Sequence, residues 1–262
     1  MTILNIIFDL SKLILHAVKG VFAKKDKTWT DWYMEYIPVH ISDFGVLTCI
    51  SLLSMCGLSE EFVTEHKQNN EIAWENYRAS HDSLYIEKQS ELKDFQYGRE
   101  FTVNYNGCEV IAVYNALQYL KMNAKKEKMN ELEWDFPSLL SEFEKKGIAK
   151  KGAYGTSPMA VKSFFKKCNR KTDTIKGRNA TNEKISYLEK EYSVFIMTVF
   201  NNKNNLKDMV HTMCITEEEN VFTIHNDYEG TRSYPSLAKA IQGYKNGNAR
   251  LICITGITSK CL

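Results

Sequence analysis

A cysteine, a histidine and an asparagine–aspartate pair follow one another along this sequence in an order that nucleophilic chemistry can use. Cys108 comes directly after Asn106-Gly107 and opens the run Cys108 to Met122, in which Ile111, Ala112, Asn115, Ala116, Tyr119 and Leu120 make one helical face. A thiol at a helix N-terminus meets backbone N–H groups and the positive end of the dipole, and such cysteines have pKa values lowered to about 3.5–7.5. Cys49, Cys56, Cys214 and Cys253 lie instead inside apolar runs, where a cysteine is ordinarily a small core hydrophobe. The base expected for Cys108 is His211, on a predicted strand between Val210 and Thr212. The following strand ends in Ile224-His225-Asn226-Asp227, so a hairpin returns an amide or a carboxylate towards the imidazole. Such a third group fixes the tautomer and orientation of the ring. Neighbouring strand residues point to opposite faces, so only one of the pair can serve. Asn226 is the expectation and Asp227 the alternative, otherwise assigned to the turn with Gly230.

These side chains need elements to hold them. From about Phe101 the sequence predicts helices at Cys108–Met122, from Pro137 to Gly147, from Ser157-Pro158 to about Cys168, and at Thr181–Glu191. Gly152 to Pro158 reads as a loop. Predicted strands follow at Tyr192–Phe200, Met209–Thr216 and Val221–Asn226, with a short helix opened by Tyr234-Pro235 and a last strand at Arg250–Ile257. Helices first and an antiparallel sheet afterwards make an α+β fold.

The first hundred residues read as a helical N-terminal extension, 1–100, ahead of a domain at 101–262. Ile3, Ile6, Ile7, Leu10, Leu13, Ile14, Ala17, Val18, Val21 and Phe22 recur at helical spacing, interrupted by Asp9, Lys12, His16 and Lys19. A secretory signal has an unbroken apolar run of about 7–15 residues, so this segment predicts an amphipathic helix packed on protein. Its mildly basic polar face leaves a membrane-surface anchor as the lesser alternative. Phe44 to Leu58 carries no charge but is shorter than the roughly 20 residues of a spanning helix, and predicts a buried one. Between them lie the aromatics Trp29, Trp32, Tyr33 and Tyr36. Ser59-Glu60-Glu61 marks a helix start, and Glu61 to Phe95 predicts one or two surface helices.

Composition narrows the function classes. With 262 residues, 44% hydrophobic and 25% charged, the chain has the balance of a globular protein with a real core. A formal net charge of +2 and the absence of a long basic stripe argue against a nucleic-acid partner. The seven cysteines are odd in number and share no CxxC spacing, which points to reduced thiols and to no metal site. No cofactor is expected.

Tyr105-Asn-Gly-Cys-Glu-Val-Ile-Ala-Val-Tyr-Asn-Ala-Leu117 resembles the nucleophile helix of papain-like cysteine peptidases, closest to the bacteriocin-processing, double-glycine-leader branch. Gly155-Thr-Ser-Pro158 is similar to that family's Gly-Thr-x-Pro segment, and His211-Thr-Met-Cys-Ile-Thr with Val221-Phe-Thr-Ile-His-Asn226 to its His and Asn/Asp strands. The resemblance covers about residues 101 to 257. It implies a papain-like fold and a bacterial thiol hydrolase acting on a peptide or protein, a leader peptide among them; without a secretory signal the expected compartment is the cytoplasm. Cys108, His211 and Asn226 would form its triad. Two positions depart from the pattern: Glu109 stands where family members often carry Gly, and Thr102 stands where an oxyanion-hole Gln is usual. Asn104, Asn106 and Gln96 are the candidate substitutes for that donor. Two other functions share these residues, an acyltransferase or amidase on the same triad, and a non-catalytic peptide-binding module.

Overall fold

The structure, a computed structural model, describes residues 57–123, 132–148, 150–152, 155–201 and 210–261. The expected helix Ile3–Phe22, the connector aromatics and nearly all of Phe44–Leu58 lie outside these residues. Seven α-helices and six strands make up the described part, and all strand pairings are antiparallel, so the fold is α+β.

The first helix, α1 (Glu60–Ser80), begins where the sequence marks a start, with Glu60 and Glu61 in its first turn and Arg78 in its last. It does not continue to Phe95. After His81 the chain runs irregularly to a short helix, α2 (Val103–Asn106), and two buried asparagines make that course affordable. Asn115 accepts from the Ile86 N–H and donates to the Ile86 carbonyl, both at 2.9 Å. Asn70 makes the same paired contact with Gln96, at 2.7 and 2.9 Å. Each primary amide thus stands in for a strand neighbour and satisfies backbone groups that would otherwise be buried bare.

Helix α3 (Cys108–Met122) is central, and every residue from Cys108 to Leu120 is buried. A helix with no solvent face must be covered all round. Helix α4 (Phe136–Lys146), α1 and the irregular segment with Ile86, Leu92, Phe95 and Tyr97 supply one side of its cover, and the sheet supplies the other. The described part of the 1–100 extension therefore shares one core with the helix that carries Cys108. Asp135 caps α4 by accepting from the Ser138 N–H at 2.7 Å, with Pro137 in its first turn. Helix α5 (Pro158–Lys167) follows the expected Ser-Pro start.

The sheet contains β1 (Arg170–Lys176), β2 (Val194–Phe200), β3 (Val210–Glu218), β4 (Val221–His225), β5 (Arg232–Tyr234) and β6 (Arg250–Cys261). Its order is β1-β6-β2-β3-β4-β5. Every residue of β2 is buried, because its two faces meet different layers. Val194, Ile196, Cys214 and Ile257 pack towards α3. Phe195, Met197, Met213, Ile215 and Ile254 pack on α6 (Asn182–Glu191) and α7 (Leu237–Gly243). The two edge strands, β1 and β5, were not expected from the sequence. Arg170-Lys-Thr-Asp-Thr-Ile-Lys176 is too charged to show an apolar alternation, which suits a sheet edge that must not pair further. No helix among the described residues is long and apolar enough to cross a membrane.

Candidate active site

Gly107 sets the entrance of α3. The four-residue α2 ends in Asn106, Gly107 follows at φ −93° and ψ 9°, and Cys108 is the first residue of α3. A Cβ on Gly107 would lie 2.5 Å from a Val103 methyl and 2.8 Å from the Val103 carbonyl oxygen, so only glycine lets the two helices meet so closely. The expected helix N-terminal position of Cys108 is therefore what the structure has. The thiol is buried, 8% exposed. The backbone N–H groups of Thr212, one residue past His211, and of Glu109 bond to its sulfur. The start of β3 is thus seated on the Cys108 end of α3.

His211 is wholly buried, and its Nε2 donates to the backbone carbonyl of Asn226 at 2.7 Å. A carbonyl only accepts, so Nε2 carries the proton and Nδ1 is the basic nitrogen of the neutral ring. Tyr228 stacks on the ring with centroids 4.2 Å apart. It is 59% exposed, and it feels the charges of Cys108 and Glu109; burial of its hydroxyl, with those charges, pushes its pKa up to about 12. The phenol of Tyr228 thus covers the histidine ring and has its hydroxyl bonded to Asn201, and the sequence did not single it out.

The third group differs from the expectation. Asn226 orients His211 with its main chain, while its side chain works elsewhere. The residue sits in the left-handed region at φ 62°, a conformation asparagine tolerates better than most residues. Its Oδ1 accepts from the Gln89 N–H at 2.9 Å, and its own N–H donates to Glu87 Oε2 at 3.2 Å. Gln89 Nε2 in turn donates to the carbonyls of Val103 and Asn104, at 3.0 and 3.2 Å, in the helix just ahead of Cys108. Gln89 therefore ties the loop that aims His211 to the segment that presents Cys108. Glu87 is anchored by His225, whose Nδ1 lies 2.7 Å from Oε1; although burial works to raise the Glu87 pKa, the hydrogen bonds and charge of His225 bring it below the ordinary value. Asp227 faces away from His211. Its carboxylate accepts from Arg232 Nε at 2.8 Å and from the Glu229 N–H at 3.2 Å, and its carbonyl receives the Gly230 N–H in the expected turn.

Of the expected oxyanion donors, Asn106 has its amide hydrogens engaged, while the side-chain bonds of Asn104 and Gln96 are made by their oxygens. Both amide hydrogens of Asn106 go to the carbonyls of Tyr97 and Gly152, at 3.2 and 2.5 Å. Asn104 Oδ1 accepts from the Thr102 hydroxyl, and Asn104 is exposed. Gln96 Oε1 accepts from Asn69 at 3.0 Å, and its main chain is held by Asn70. None of these contacts directs an amide hydrogen at Cys108. The donors that do reach the cysteine are backbone N–H groups.

No family model, curated protein or solved structure matches this chain.

The lowered thiol pKa expected from the helix dipole is overturned. Burial, followed by the charge of Glu109 and a hydrogen bond to it, holds the Cys108 thiol well above the ordinary cysteine range, and the two N–H groups oppose this only in part. Cys108 Sγ donates to Glu109 Oε2 at 3.3 Å. Glu109 is itself buried, and burial pushes its pKa up to about 7 against hydrogen bonds from its own N–H, the thiol and the Thr156 N–H. Gly155 lies over that carboxylate at φ 62°, where a Cβ would come within 2.8 Å of Oε2. The Gly155-Thr156 pair thus closes the site above Glu109. Among the described residues no group of three or more His, Cys, Asp or Glu could hold a metal ion.

Proposed function

We propose that the protein is a thiol hydrolase of papain-like fold, a cysteine peptidase in which Cys108 attacks a peptide carbonyl. His211 Nδ1 accepts the thiol proton and returns it to the leaving amine, and water then hydrolyses the thioester with the same histidine as base. The carbonyl of Asn226 holds the ring and stabilises the imidazolium that forms. The Cys108 backbone N–H is one oxyanion donor, and Asn106, whose amide hydrogens go to Tyr97 and Gly152, does not supply a second. One such donor is worth about 2.7–4 kcal/mol, so the enzyme is slow if neither Asn104 nor Gln96 turns its amide towards the substrate. The observation that carries this reading is the 2.7 Å bond from His211 Nε2 to the Asn226 carbonyl, which leaves the basic nitrogen on the other side of the ring.

The substrate in this reading is a peptide or protein, a leader peptide ending in two glycines being the first to try, handled in a bacterial cytoplasm without nucleic acid or cofactor. The same thioester passed to an amine would make the protein an acyltransferase, and product analysis with an added amine separates that outcome. A non-catalytic peptide-binding module is the second reading, favoured by the burial of Cys108 and the carboxylate beside it. The deciding experiment is labelling with an epoxysuccinyl peptide and cleavage of a peptide library. We expect both with the native protein and neither with Cys108→Ala. Cleavage that survives Cys108→Ala, or native protein that binds peptides without ever forming a thioester, removes the peptidase reading.

A further inference from the structure

We propose that Glu109 is a brake on the nucleophile: its ionised carboxylate holds Cys108 as a thiol, and its protonation lets the thiolate form. This deepens the reading of Cys108 as the attacking group and rests on it. The geometry is specific. The thiol donates to Oε2 at 3.3 Å inside a buried site, the Thr156 N–H and the Glu109 N–H hold the carboxylate in place, and Gly155 makes room for it there, since a Cβ would come within 2.8 Å of Oε2. In low-dielectric surroundings a second negative charge beside a carboxylate is strongly disfavoured. While Glu109 is charged, the thiol keeps its proton. Once Glu109 has taken a proton from solvent, its carboxyl O–H can donate to sulfur instead of accepting from it. The thiol proton then moves to His211 Nδ1, and a thiolate–imidazolium pair results with no net redox change.

The titratable groups facing the carboxyl come from several elements. They are Cys108 on α3 itself, Tyr97 ahead of α2 and Tyr228 after β4, whose pKa values are all raised, with His211 on β3 behind Tyr228. Tyrosines titrating that high stay neutral near pH 7, so Glu109 and Cys108 form the pair that decides the charge. Two interacting acids share their protons, and the brake acts on the pair as a unit. The Glu109 carboxyl, its pKa raised to about 7 by burial, places the release within the neutral range.

The test follows the alkylation rate of Cys108 by iodoacetamide against pH, read by peptide mass spectrometry on the full chain, with the melting temperature as a check on folding. In Glu109→Gln we expect the rate at pH 7 to rise about tenfold, one unit of thiol pKa, and the profile to move to lower pH. Glu109→Ala should behave alike. A folded variant with an unchanged rate overturns the proposal. A folded variant with a lower rate also overturns it, since Glu109 would then be the thiol's proton acceptor. If neither variant folds, the 13C carboxyl resonance of Glu109 in the native protein decides. A midpoint near neutrality that moves up in Cys108→Ala supports the brake, and a midpoint near the ordinary carboxylate value of about 4.3 overturns it. The two readings fail separately. Faster alkylation of Glu109→Gln without any peptide cleavage would sink the peptidase and leave the brake standing.

Discussion

At the scale of single residues, Asn226 and Asp227 divide their work in a way that can be measured. Asn226→Ala loses the Oδ1 bond to Gln89 and puts alanine, which tolerates the left-handed region less well than asparagine, where φ is 62°; together these cost about 2 kcal/mol. Its larger effect is on chemistry, because the carbonyl that aims His211 moves with the loop. We expect kcat to fall at least tenfold with KM little changed, and Asn226→Gly to recover part of it by accepting the left-handed backbone. Asp227→Ala should do the reverse. It takes the buried carboxylate from Arg232 and leaves it paired with the more exposed Glu229, and with that guanidinium a quarter exposed the cost is about 2 kcal/mol of stability, with kcat largely kept. Equal losses of kcat in the two variants would remove the carbonyl from its assigned role. Glu109 also leaves a trace in stability. Its folded pKa lies above the unfolded value of about 4.3, so the folded state holds the proton longer. The stabilisation is fully present below about pH 4.3 and is lost as pH rises through about 7. Urea midpoints measured from pH 5 to 8 should fall in the native protein and fall less in Glu109→Gln.

Among the elements, the irregular stretch between α1 and α2 depends on amides borrowed from its neighbours. Asn115→Ala leaves the buried N–H and C=O of Ile86 without partners, which costs about 3 kcal/mol in a urea unfolding curve. Because Glu87 and Gln89 follow directly, the same variant should also lower activity; full activity at reduced stability would show that this stretch does not position the site. The sequence revealed the elements whose pattern is strong. Helix α3, the three strands through the site and the order Cys108, His211, Asn226 were legible, since apolar periodicity and glycine breaks encode them. It was silent on β1, where charge hides the strand, and on Gln89 and Glu87, whose partners lie more than a hundred residues further on. It also misjudged the thiol. The helix dipole is a local signal, whereas burial and the Glu109 carboxylate become visible only when the loop with Gly155 folds over the site.

For the whole molecule, the consequence is that the part before Phe101 belongs to the site. Deleting residues 1–95 would remove α1, Ile86 and Leu92 from the core around α3, and with them the Gln89 bond to Asn226. We expect that truncation to be insoluble or molten by near-ultraviolet circular dichroism; a folded, active truncation would contradict the shared core. The strand order carries a further implication. Strand β6 is the last described strand in the sequence, yet it lies between β1 and β2. While the ribosome is still making residues 250–261, β1 and β2 have an empty lane between them, and Ile257 and Ile254 are missing from the two layers of the core. The sheet can therefore be translated in order but cannot be closed in order. Its outer strand β1 waits, unpaired with the rest, until the last described strand slides into place.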